Sequence, residues 1–176
     1  MSEGYGWDSH EERWKGNLAL LDGVLGAERS SLFSLYHSKG LYENQRATTD
    51  RKRVVNLTRS SYAGQQRYST ITWNGDTHAS WKSFAQQIPQ GLNFMATGCP
   101  YWTVDIGSFF TRKGREWFRA GDFDAGVDDM GYREYYVRML QYGAFLPLFR
   151  SHGTDTPREI WRFGRPGELF MTVSCA

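Results

Sequence analysis

Tyr68-Ser69-Thr70-Ile71-Thr72-Trp73-Asn74-Gly75-Asp76 decides the fold. Thr, Ile, Tyr and Trp fill five of its first six positions, and these are the residues that suit a pleated, half-buried strand. Asn74-Gly75 then breaks the run, and Asp76 follows at once. Ser80 to Leu92 reads as the next element, a helix broken near Pro89. Strand, polar residue and helix, in that order, form one β/α unit.

The same unit recurs outward from this stretch. Before it, Ser30 to Gln45 reads as a helix with Leu32, Leu35 and Tyr36 on one face. Arg53 to Leu57 is a short apolar strand that runs into Arg59. After it, Tyr101 to Ile106 is a strand containing Asp105. Gly131 to Tyr142 is an amphipathic helix with Tyr132, Tyr136, Met139 and Leu140 on one side. Ala144 to Phe149 reads as a last apolar strand, followed by Arg150-Ser151-His152-Gly153. Alternating strands and helices imply an α/β fold with a parallel sheet. Only about nine residues separate Arg59 from the next strand, fewer than the ~12 or more of a parallel crossover, so that link must be a compact turn or one helical turn.

Composition bounds the function. The 176 residues suffice for one domain, 1–176, with a real core. A net charge of +2 and the lack of a dense Lys/Arg stripe predict no nucleic-acid partner. Arg51-Lys52-Arg53 is a solvated turn before a strand. No run approaches the ~20 apolar residues of a membrane span, and the polar, acidic stretch from Met1 to Lys15 does not resemble a signal peptide; this leaves the location unknown, cytoplasmic by default, though a full-length parent could be secreted or periplasmic. Cys99 and Cys175 form no Cys-x-x-Cys pair and have no His at metal spacing, so they read as thiols, and no metal or organic cofactor is expected. Asn56-Leu57-Thr58 matches a glycosylation sequon but falls on a buried strand. Aromatic residues are the outlier at 16%; most belong in the core, and some suit the stacking of sugar rings.

Arg59, Asp76, Asp105 and His152 each follow an apolar run by zero to three positions or lie in its last part. In parallel β/α folds the carboxyl ends of the strands share one face, and ligands bind there. Four such residues would converge. Taken singly, each is equally a turn or cap residue, and Asp76 in particular could cap the helix that starts near Ser80.

Arg59-Ser60-Ser61-Tyr62-Ala63-Gly64-Gln65-Gln66-Arg67-Tyr68 with Trp73-Asn74-Gly75-Asp76 resembles glycoside hydrolase family 31, the α-glucosidase and α-xylosidase family. So do Val104-Asp105-Ile106-Gly107-Ser108-Phe109 and Phe149-Arg150-Ser151-His152-Gly153 continued by Pro157-Arg158-Glu159-Ile160-Trp161. The resemblance runs from about Phe33 to Gly164. It implies part of a (β/α)8 TIM barrel, about strands 4/5 to 8, as a fragment of a longer catalytic domain. It implies a retaining α-glycoside hydrolase of carbohydrate metabolism, acting on α-glucosides or α-xylosides. Asp76 is then the acid/base, seventeen residues after Arg59, a sugar-hydroxyl binder. Trp73 and Phe109 wall the subsite, and Asp105 and His152 hydrogen-bond the sugar. Asp8, in Asp8-Ser9-His10-Glu11, fits part of the family's nucleophile pattern, although Trp7 precedes it directly instead of two places back; otherwise it belongs to an exposed acidic N-terminus. A retaining pair would stand ~5–5.5 Å apart. The alternative is an inactive fragment that keeps some sugar binding, or a half barrel that self-associates through its exposed strand edges.

Overall fold

The computed structural model describes residues 32–114 and 119–164. The chain divides into two compact units, Met1–Thr72 and Trp73–Ala176.

The first unit holds helix α1 (Phe33–Thr48), strand β1 (Asn56–Thr58) and most of strand β2 (Thr70–Trp73). β1 pairs with β2 in parallel, in the register Asn56↔Thr70, Leu57↔Ile71, Thr58↔Thr72. The short link between them is made by a one-turn 3-10 helix, Gln65–Tyr68, as the spacing required. Strand β1 starts later than the sequence implied, because Arg53 to Val55 approach it without ladder bonds. Asn56 is buried and its Nδ2 donates to the Tyr68 carbonyl at 3.1 Å, which occupies the amide of the sequon. Arg51, Lys52 and Arg53 are exposed.

Helix α1 does not bury the face expected of it. Ser34 and Ser38 are its buried residues, whereas Phe33, Tyr36 and Leu41 are exposed, Tyr36 at 63%. The cause is Gln65. Its side chain is buried, accepts from Ser34 Oγ, and donates to Ser38 Oγ at 3.0 Å and to the Ser60 carbonyl at 3.3 Å. A buried amide must be satisfied, so hydroxyls face it and the apolar side chains turn out.

The second unit holds helix α2 (Trp81–Ala96), strand β3 (Trp102–Thr103) and helix α3 (Met130–Gly143). Ser80 caps α2, its Oγ accepting from Ser83 N at 3.1 Å. α2 continues unbroken through Pro89, contrary to the expected break. Asp129 caps α3, accepting from the N–H groups of Gly131 and Tyr132. Tyr132, Tyr135, Tyr136, Val137 and Met139 line its buried face, and Phe123, Val104, Ile106 and Phe163 complete the core. The stretch from Ala144 to Phe149 is a turn, not a strand; Phe145 is 89% exposed. What survives of the expected pairing is one parallel bridge, Ile106↔Ser151, with Ile106 N donating to Arg150 O at 3.3 Å. Among the described residues no helix is long and apolar enough to cross a membrane.

Candidate active site

Trp73 closes β2, and the chain turns sharply at Gly75, whose φ of 82° lies where glycine alone is unstrained. Asp76 follows on the loop before α2, half-buried. Ser80, not Asp76, is the helix cap, so capping does not account for Asp76.

Asp105 is fully buried just beyond β3. Arg150 donates a hydrogen bond to its Oδ1 and forms an ion pair with it. The guanidinium also lies over the Trp73 ring, 5.6 Å from the centroid. Burial pushes the Asp105 carboxyl above its ordinary range. The charges of Arg150 and His152 and the Arg150 hydrogen bond oppose that shift, and Asp76 adds to it. Asp76, Asp105, Arg150 and His152 therefore form one electrostatic neighbourhood. Asp105 Oδ2 and Trp73 Nε1 are buried with no hydrogen-bond partner among the described residues.

Phe109 is half-buried, packed edge-on against Phe110, with its ring 5.5 Å from that of His152. The residue before it, Ser108, is buried at φ 59°, and its Oγ shares a hydrogen bond of 2.7 Å with the Tyr135 hydroxyl. Asp155 accepts from Thr111 N, Thr111 Oγ1 and Arg112 N. Burial works against its charge, but those hydrogen bonds and Arg158 outweigh it and hold the carboxyl below its ordinary range. Burial pushes the phenols of Tyr132, Tyr135 and Tyr136 up, Tyr135 to about 12.

The structure thus brings together Trp73, Asp76, Asp105, Phe109 and His152. Arg59 follows β1 in the first unit and is exposed. Asp8 lies outside the described residues. Arg150 escaped the sequence reading, although it directly follows the apolar run ending at Phe149 and so meets the rule that selected His152. Among the described residues no group of His, Cys, Asp or Glu is placed to hold a metal ion.

The profile of the "Glycosyl hydrolases family 31 TIM-barrel domain" matches residues 5–173. The chain belongs to glycoside hydrolase family 31. Its similarity to an α-xylosidase of Saccharolobus solfataricus is 43% identity over 140 residues, 80% of this chain and 17% of that protein. Human neutral α-glucosidase C is 31% identical over 140 residues, 78% of this chain and 13% of that protein. Among solved family 31 structures, the α-xylosidase of Xanthomonas citri superposes with a TM-score of 0.71 at 35% identity, over 86% of this chain and 16% of that one. The chain therefore spans about a sixth of the length of these family 31 α-xylosidases, and the fold is part of a TIM barrel.

Proposed function

We propose that the chain carries the acid/base part of a retaining α-glycoside hydrolase site acting on α-xylosides or α-glucosides. The observation that carries the proposal is the buried Asp105 Oδ2, an acceptor with no partner among the described residues, together with the equally unpartnered Trp73 Nε1 donor, Arg150 touching both residues. Buried polar atoms are satisfied in nearly all cases, and a sugar hydroxyl is both donor and acceptor. Family membership gives the ligand class, and the identities favour testing xylosides first.

In this reading Asp76 gives its proton to the glycosidic oxygen as the bond to the anomeric carbon breaks. Asp8 attacks that carbon from the other face and forms a glycosyl ester. Water then attacks the same anomeric carbon, Asp76 takes its proton and Asp8 leaves as the carboxylate, so two inversions keep the anomeric configuration. Arg59 binds a sugar hydroxyl. Trp73 and Phe109 wall the ring, and His152 and Asp105 hold its hydroxyls. The charge of Asp105 favours an oxocarbenium-like transition state, and Arg150 opposes the protonation that burial would impose on it. Release of aryl alcohol from aryl α-xyloside and α-glucoside, lost in Asp76→Ala, tests the reading.

A second reading is supported by one strand edge. Among the described residues β1 has a single strand partner, β2, and Val55 just before it and Leu57 within it are exposed. Such an edge is a template for another strand. Self-association through it predicts a dimer on sizing that Leu57→Lys converts to monomer.

A further inference from the structure

Arg158 and Asp155 stand three residues apart on the segment after His152, and both are largely buried. Each reaches the backbone of the loop that carries Phe109, with opposite polarity. Arg158 donates to the carbonyls of Ser108 at 2.5 Å and Phe109 at 3.3 Å. Asp155 accepts from the N–H groups of Thr111 at 3.0 Å and Arg112 at 3.1 Å. A guanidinium has only donors and a carboxylate only acceptors, so neither side chain can do the other's work.

We infer that Asp155 and Arg158 are positioning residues, a two-sign clamp on the 108–112 loop that sets the Phe109 ring against His152. The Thr154 N–H completes the grip by donating to the Phe109 carbonyl at 3.1 Å. The surroundings are shaped to admit the guanidinium. A β-carbon on Gly107 would stand 2.9 Å from Arg158 Cδ, and one on Gly153 would overlap the guanidinium itself. Tyr132 lies beside it, ring centroid 5.6 Å away, and its hydroxyl donates to the Gly107 carbonyl at 2.9 Å. Burying two charges is costly, and apolar packing often anchors a loop as well. What charges add is direction. The carbonyls at 108–109 and the amides at 111–112 can both be met in only one loop position.

The clamp is a statement about geometry. Its bearing on sugar recognition rests on the reading of Phe109 and His152 as sugar contacts, so the test separates the two. Carbon-bound imidazole protons of His152, assigned by their loss in His152→Gln, report the Phe109 ring current; Phe109→Leu sets the zero. Read at both limits of the histidine titration, the displacement should fall by at least half in Asp155→Asn and Arg158→Lys with far-UV circular dichroism unchanged. Thr111→Val, which removes one donor to Asp155 and no charge, should give a smaller fall and serves if Arg158→Lys does not fold. Folded variants with undiminished displacement overturn the clamp. Xylose titration of the same samples addresses the other reading. A wild-type chain that binds no xylose yet shows the His152 response removes the sugar assignment and leaves the clamp standing.

Discussion

Arg150 hydrogen-bonds the fully buried carboxylate of Asp105 across 45 positions of sequence. Arg150 itself is 19% exposed, so the pair joins an interior anion to a cation at the rim. Two motifs far apart in the chain are tied at the point where the sugar is proposed to bind.

Removing that cation should destabilise the chain in a pH-dependent way. Burial already holds the Asp105 pKa above its unfolded value. The contribution of this group is therefore fully present below the unfolded value and is lost as pH rises through the folded one. In Arg150→Met the folded pKa rises further. The deficit relative to wild type should be small at pH 4 and reach about 3–5 kcal/mol at pH 7.5, the usual cost of orphaning a buried charge. Urea titrations at the two pH values measure it, and a deficit larger at pH 4 would refute it.

Ser108 offers a test of strain against hydrogen bonding. Its φ of 59° disfavours any side chain, yet its Oγ is bonded to buried Tyr135. Ser108→Ala keeps the strain and deprives the phenol of a partner, at a cost of about 1–3 kcal/mol. Ser108→Gly loses the same bond but relaxes the backbone, so it should be the more stable of the two by roughly 1 kcal/mol. Thermal melts of both variants give the order.

Two glycines should respond in opposite senses. A β-carbon on Gly40, inside α1, meets nothing, and Gly40→Ala should stabilise by about 0.5–1 kcal/mol. A β-carbon on Gly121 would overlap the Thr111 carbonyl, a backbone group that cannot step aside. Gly121→Ala should cost at least about 3 kcal/mol, the upper end of overpacking effects. Chemical denaturation of each variant checks the sign.

The tyrosines of α3 should resist ionisation. Burial holds Tyr135 up to about 12 and raises Tyr132 and Tyr136 as well, whereas Tyr36 is exposed. Because these folded pKa values lie above the unfolded 10, their contribution persists below pH 10 and is lost as pH rises through the folded values. Absorbance at about 295 nm should show the buried phenols ionising only together with alkaline unfolding. Full ionisation of every tyrosine in the folded state near pH 10 would contradict the packing.

Much of this was legible where short-range rules act. Trp73-Asn74-Gly75-Asp76 announced a strand, a turn and an acid beyond it, and Tyr132, Tyr136 and Met139 fell on the buried side of α3 as their spacing implied. The rule that polar residues end the strands brought Asp105 and His152 into one neighbourhood with Asp76. The misreadings came from long-range partners. Periodicity placed Leu35 and Tyr36 inward, but Gln65, thirty-one positions from Ser34, drew the serines in instead. Ala144 to Phe149 is apolar enough for a strand, yet the chain turns there, and the parallel bridge to Ile106 forms after it, at Arg150 and Ser151. Arg158 and Asp155 drew no role from the sequence, because the backbone groups they hold lie more than forty residues away.

The central claim, that Asp76 is the acid/base of an α-glycoside-cleaving site, is tested most directly by aryl α-xyloside hydrolysis with the wild-type chain and Asp76→Ala side by side. Wild type should release aryl alcohol slowly, and the variant should lose about 100-fold or more of that rate, the scale of general acid–base catalysis. Release at equal rates from both, or none from wild type, would contradict it.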